Sequence, residues 1–139
     1  MIKVIATGPE CTGKTTLCKI LSVHFKIPYC KEYAREYLNK FGVIYQQEDL
    51  LKIAKIQLQK ERELQLLDTD LITLKIWSEY KYNSCDDWIL KKVEQQKKEE
   101  RFYLLCKPDI AWEPDIQREN QHNRNELFNI YQNEINKVL

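Results

Sequence analysis

Glycine is scarce in this chain, with three copies in 139 residues, against a usual share of roughly 7 %. Proline adds only four, and so little of the two turn residues excludes long disordered linkers. Net charge is almost absent: 22 Lys and Arg against 21 Asp and Glu leave +1. That balance gives no footing for a global electrostatic attraction to nucleic acid or to a membrane surface. No run approaches the roughly 18 to 20 apolar residues of a membrane span, and the apolar start, Ile2 to Thr7, is short and broken by Lys3. Neither a signal peptide nor a transmembrane helix is expected. The five cysteines, Cys11, Cys18, Cys30, Cys85 and Cys106, are odd in number and scattered, without a C-x-x-C pair. They read as free thiols in a reducing cytosol, which places the chain in the cytoplasm. Repeats and low-complexity tracts are absent as well, and the length suits one domain over residues 1–139 with a single core.

What is present is an alternation of strand and helix patterns. Ile2 to Thr7 is a short β-branched run ending in Gly8, which suits a buried parallel strand. From Lys14, Leu17, Ile20, Leu21 and Phe25 recur at helical spacing, with Pro28 just beyond. Tyr29 to Lys40 reads as an extended piece entering a helix, closed by Gly42 as a left-handed cap. A second long helix is expected from Gln47 to Glu63, with Leu50, Leu51, Ala54 and Leu58 buried. Leu64 to Asp70 reads as a strand ending in two carboxylates, and Leu71 to Tyr80 as a helix. Lys91 to Arg101 mixes both charge signs and reads as a solvated helix face. Phe102 to Cys106 has strand length, and Glu126 to Leu139 is an amphipathic helix. Such alternation predicts an α/β fold, a parallel sheet flanked by helices in three layers, with function at the carboxyl ends of the strands.

Two of the three glycines fall in one octet. Gly8-Pro9-Glu10-Cys11-Thr12-Gly13-Lys14-Thr15 satisfies G-x-x-x-x-G-K-[ST], directly after a strand and directly opening a helix. This is a phosphate-binding P-loop: glycines let the backbone wrap the phosphates, so that successive N–H groups and the helix N-terminus face the anion. Residues 8–15, with Thr16 beside them, are the expected nucleotide site. Lys14 is expected to reach the β- and γ-phosphates, and Thr15 to put its hydroxyl on Mg²⁺. Cys11 occupies an unconstrained position of the pattern and is given no role as a thiol, and neither His24 nor His122 has partners that suggest one.

A P-loop protein needs a carboxylate at the end of a neighbouring strand, and Leu66-Leu67-Asp68 is the apolar run that supplies it. If the segment stays extended, Asp70 points a second carboxylate to the same rim, because alternation has period two. Metal binding and acceptor activation would be divided between Asp68 and Asp70; the alternative is that either one caps the helix starting near Leu71. Arg118 and Arg124 lie in a polar segment after the FYLLC strand, suited to a lid that stabilises charge developing on the γ-phosphate. Surface arginines without such a role are the alternative.

GPECTGKTTL, the KEYARE segment (Lys31 to Glu36), LDTDLITLKIW (Leu67 to Trp77) and LLCKPDIAWEPDIQREN with Arg124 stand in one order. Taken together they resemble the nicotinamide riboside kinase domain of the bifunctional NAD-biosynthesis regulators, over nearly the whole chain. That resemblance implies a fold similar to nucleoside-monophosphate kinases and ATP- and Mg²⁺-dependent phosphorylation of nicotinamide riboside to nicotinamide mononucleotide. By match, Gly8, Gly13, Lys14 and Thr15 bind ATP and Mg²⁺, and Glu32, Arg35, Asp68 and Asp70 face the riboside and the metal. Trp112 and Asp115 help enclose the substrate, while Arg118 and Arg124 form the lid. A cationic nicotinamide ring beside an aromatic face and carboxylates is physically apt.

Two departures from the family pattern stand out. Family members continue past the last helix into a further strand and helix that help hold the adenine, and the link between the Gln47 helix and Asp68 is several residues short here. Either departure weakens nucleotide binding or catalysis, and the apolar face ending at Val138 and Leu139 calls for cover, which a second copy would give. The competing expectations are therefore a kinase for nicotinamide riboside, a kinase for another nucleoside, and a P-loop module that binds ATP without catalysis. A GTPase switch is disfavoured because no N-K-x-D segment is present. The chain has no room for the regulators' DNA-binding and adenylyltransferase domains, so only the kinase is expected.

Overall fold

The computed structural model describes residues 1–138. Four strands, β1 (Lys3–Thr7), β2 (Tyr29–Cys30), β3 (Leu66–Asp68) and β4 (Arg101–Leu105), form one sheet in the order β2-β3-β1-β4. Every pairing is parallel, with Ala6 opposite Asp68 and Thr7 opposite Leu105. Six helices connect and cover them: α1 (Lys14–Phe25), α2 (Tyr33–Phe41), α3 (Gln47–Glu61), α4 (Leu71–Tyr82), α5 (Asp87–Gln96) and α6 (Arg124–Val138). The expected α/β P-loop architecture is thus present.

Strand alternation divides the core between the two sheet faces. Val4, Ala6 and Leu66 face α1, where Cys18, Leu17 and Leu21 pack on them. Ile5, Leu67 and Cys30 face the opposite side. The largest cluster joins Leu50, Ile53 and Ala54 of α3 to Leu71, Ile72 and Leu74 of α4, Ile89 and Val93 of α5, and Leu127 and Tyr131 of α6. At the β4 edge the α1 side is thinly covered, and Phe102 and Leu104 are 57 % and 39 % exposed. Among the described residues no helix is long and apolar enough to cross a membrane.

Several boundaries differ from expectation for local reasons. The strand before the D-T-D segment is cut to three residues because Thr69 adopts a positive φ of 66° and Asp70 becomes the cap of α4. The charge-rich run is not one solvated face: α5 starts earlier, where Asp86 accepts from the Trp88 N–H at 2.8 Å, and it buries Ile89, Val93 and Gln96. Arg101 leaves that run to become the first residue of β4, 8 % exposed. Gly42 does close α2, donating to the Leu38 carbonyl at 2.9 Å, but with φ 95° and ψ 164° rather than left-handed helical angles. The last helix begins at Arg124, and Leu139 lies outside the described residues.

Candidate active site

Parallel strands deliver their carboxyl ends to one rim, and the P-loop forms there. Cys106 N–H donates to the Thr7 carbonyl at 2.8 Å, so β1 and β4 run together right up to the loop. A Cβ on Gly8 would stand 2.6 Å from the Cys106 carbonyl oxygen, and its φ is 138°. Only glycine fits that junction. Gly13 takes φ 85° and caps α1, so the loop runs directly into a helix N-terminus, a position that favours an anion. The Thr12 hydroxyl donates to the Pro9 carbonyl at 2.9 Å and fixes the loop from within.

Lys14 Nζ donates to the carbonyls of Gly8 at 2.7 Å and Pro9 at 3.3 Å. Burial pulls its pKa down, but Glu32, Tyr131 and Asp68 more than offset that, so the ammonium is held above its ordinary range. It stands charged at the loop mouth. The Thr15 hydroxyl donates to Asp68 Oδ2 at 2.7 Å, while Asp68 Oδ1 is buried with no partner. Burial, and then the nearby Glu32 carboxylate, push the Asp68 carboxyl up to about 6. A hydroxyl and one carboxylate with an unused buried oxygen match what Mg²⁺ takes from a protein when phosphates and water complete its shell.

Beside the loop lies a cavity of about 510 Å³. Residues 9–16 form its floor. Its walls come from Glu32 and Arg35 at the start of α2, from Gln57 of α3, from Thr73, Trp77, Tyr80 and Lys81 of α4, from residues 117–120, and from Leu127 and Tyr131 of α6. That α4 supplies this wall was not legible in the residue pattern. Thr73, Trp77, Tyr80 and Lys81 recur at helical spacing, but such a stripe is indistinguishable from a core face until its neighbours are known.

The segment between β4 and α6 closes over the loop and is fastened at several points. The Glu10 carboxylate accepts the backbone N–H groups of Glu119 and Asn120 at 3.0 and 3.1 Å. Glu119 in turn accepts from the Tyr45 hydroxyl at 2.6 Å and from Lys81 Nζ at 2.9 Å, and Trp77 Nε1 donates to the same Tyr45 oxygen at 2.8 Å. Arg35 and Asp115 form an ion pair at 2.8 Å. The Trp112 ring lies 5.9 Å from the Arg118 guanidinium and 5.5 Å from that of Arg124.

Measured against expectation, Lys14, Thr15, Asp68, Glu32, Arg35 and Arg118 come together with the P-loop, and four residues do not join them as foreseen. Asp70 is fully buried and faces away. Its Oδ1 accepts the Ile72 N–H at 3.1 Å, and its Oδ2 accepts from Arg101 Nη2 at 2.9 Å and the Tyr103 hydroxyl at 2.7 Å. The positive φ of Thr69 breaks the period-two alternation on which the rim position depended. Arg124 opens α6 and spends Nη1 on the carbonyls of Cys11 and Ile110, both at 2.9 Å, so it ties the P-loop to the segment that closes over it and does not line the cavity as Arg118 does. Trp112 and Asp115 lie outside the cavity lining, where Trp112 meets the Arg118 and Arg124 guanidinium groups and Asp115 pairs with Arg35.

A sheet with a P-loop at its first strand end and a carboxylate from the adjoining strand defines a P-loop nucleotide-binding domain. A family model described as an AAA domain matches residues 3–138, and the chain belongs to that family. No curated protein matches it. Among solved structures, a NadR protein in complex with NR has 23 % identity and a TM-score of 0.69 over 96 % of this chain and 42 % of its own. A NadR protein in complex with NAD and AMP-PNP has 22 % identity and a TM-score of 0.64, over 99 % and 41 % respectively. The chain therefore spans about two-fifths of the length of these proteins and shares the fold of their P-loop part, as the motif resemblance implies.

Proposed function

We propose that the chain is a small-molecule kinase that transfers the γ-phosphoryl group of ATP to nicotinamide riboside, giving nicotinamide mononucleotide and ADP. The observation that carries this is the cavity of about 510 Å³ opening directly on the P-loop, walled by Trp77, Tyr80 and Tyr131 and by the carboxylates of Glu32 and Glu119. Aromatic faces and carboxylates suit a flat cationic ring. The NadR structures with NR and with AMP-PNP add support, since their P-loop part has this fold.

In this reading Lys14 exchanges the Gly8 and Pro9 carbonyls for the β- and γ-phosphate oxygens. Thr15 and Asp68 hold Mg²⁺, which offsets the triphosphate charge when bound. Arg118, in the cavity wall, stabilises negative charge spreading over the transferred group. The acceptor hydroxyl oxygen bonds to the γ-phosphorus as the bond to the ADP oxygen breaks. Its proton passes to Glu32: of the cavity carboxylates, Glu10 is engaged by the Glu119 and Asn120 N–H groups and Glu119 by Tyr45 and Lys81, which leaves Glu32 for the acceptor.

Lys81 favours a second reading, a kinase for an uncharged nucleoside, because its ammonium lies in the same wall. Coupled ADP release, screened across nucleosides with nicotinamide riboside included, separates these readings. Release with nicotinamide riboside alone, abolished by Lys14→Ala, supports the proposal. Release with another nucleoside supports the second reading, and ATP binding with no release for any acceptor leaves a binding module without catalysis.

A further inference from the structure

The two carboxylates of the D-T-D segment are joined by a strained residue. Thr69 is fully buried at φ 66°, a region that a β-branched side chain enters only at a cost, and its hydroxyl has no partner. A turn of that kind persists only where both flanks are held. On one flank, the Thr69 N–H donates to the Ala6 carbonyl at 2.9 Å, in register with the β1–β3 pairing. On the other, Asp70 has both carboxylate oxygens engaged, one by the first turn of α4 and one by Arg101 and Tyr103.

Arg101 is far more than a counter-ion for a helix cap. Its guanidinium also reaches Glu61 at 3.5 Å and Glu99 at 3.1 Å, and its Nε donates to the Tyr103 hydroxyl at 3.2 Å. Capping alone needs no arginine, since an uncharged Ser, Thr or Asn serves. Stability alone would be served as well by apolar side chains of similar volume. What the ion pair adds is direction: it ties the exit of the Thr69 turn to β4 and so fixes where α4 begins. Three residues into α4 is Thr73, and one turn later Trp77, both in the cavity wall.

We propose that Asp70 and Arg101 are a positioning pair for phosphoryl transfer, whose buried ion pair holds the Thr69 turn and thereby aims Asp68 at Thr15 and sets the α4 wall. Neither residue touches the cavity; both act through Asp68 and α4. The inference rests on the reading that Asp68 and Thr15 hold Mg²⁺.

Calorimetric titration of ATP with and without Mg²⁺, beside thermal melting, tests it on the whole chain. The wild type is expected to bind ATP more tightly when Mg²⁺ is added. Thr69→Gly relieves the strained φ and removes the orphan hydroxyl, so it is expected to melt at or above the wild-type temperature. Yet it should lose about tenfold of the Mg²⁺-dependent tightening, the scale on which supporting residues tune a metal site. Asp70→Asn, measured well below its melting temperature, should show the same loss, with ATP affinity in the absence of Mg²⁺ within about twofold of wild type. A gain in melting temperature with a loss in the Mg²⁺ effect is an outcome that a purely structural role does not give. A Mg²⁺ effect present in the wild type and unchanged in both variants overturns the proposal alone. A wild type that binds ATP with no Mg²⁺ effect overturns the Asp68 reading, and the proposal with it.

Discussion

Asp68 and Asp70 are two residues apart and almost equally buried, yet their surroundings are opposite. Asp68 has one hydrogen bond, from Thr15, and one buried oxygen with no partner. Asp70 has a backbone N–H, a guanidinium and a phenol on its two oxygens. A buried carboxylate oxygen left unpaired costs free energy, more than an orphaned neutral hydroxyl does, and a bound ligand would recover it. In the proposed reading, the difference separates a carboxylate kept ready for a ligand from one used up in holding the fold. The same contrast extends outward, from the P-loop cavity around Asp68 to the closed cluster of Glu61, Arg101 and Tyr103 beneath Asp70.

The largest expected effect breaks the ligand side without touching the structural one. Lys14→Ala should weaken ATP binding and turnover by on the order of 100-fold or more, because the charge aimed at the phosphates is removed. Its melting temperature should stay close to wild type, since Lys14 bonds only to loop carbonyls. Calorimetry and melting curves on the same sample check both halves.

Next in size is the structural side. Arg101→Met leaves Asp70 and Glu61 buried without their cation, and removing one member of a buried ion pair costs about 3 to 5 kcal/mol. Urea unfolding of the variant at neutral pH measures it, and an unchanged midpoint would erase the distinction between the two regions.

Asp68→Asn should do the reverse and stabilise the chain. With the folded carboxyl near 6 and an ordinary value of 3.8, the folded state binds the extra proton between those values. Stability contributed by this group is therefore present below about pH 4 and lost as pH rises through about 6. The variant should gain roughly 1 to 3 kcal/mol over wild type at pH 7.5, shrinking toward zero near pH 4, by the free energy equivalent to a shift of this size. Burial also holds the Glu61 carboxyl up, to about 7, despite Arg101, so its contribution has the same sign and is shared by wild type and variant. Paired urea titrations at the two pH values give the difference.

The smallest effect concerns the lid. Arg35→Ala removes an exposed ion pair with Asp115 and should cost at most about 1 kcal/mol of global stability. Faster hydrogen exchange confined to residues 110–120 would show that the pair fastens the lid, and exchange at the wild-type rate would show that it does not.

The strand, P-loop and first helix were legible because a glycine pattern of fixed spacing has a geometric cause, and Gly8 against Cys106 shows that cause directly. Asp68 was legible as an acid closing an apolar run. Asp70 was not, because period-two reasoning presumes an extended chain, and nothing in the letters D-T-D announces the positive φ of Thr69. Arg101 was hidden in a charge-rich run, since burial depends on where β4 lies in the sheet. The α4 wall escaped for a related reason: Trp77 and Tyr80 carry the spacing of a core face, and whether that face meets protein or cavity is decided by α2 and the lid.

The reaction product gives the most direct test of the kinase reading. Mass spectrometry of the chain incubated with ATP, Mg²⁺ and nicotinamide riboside should reveal the riboside gaining one phosphoryl group with stoichiometric ADP, and no such product with Lys14→Ala. A folded chain that binds ATP and returns the riboside unaltered would contradict it.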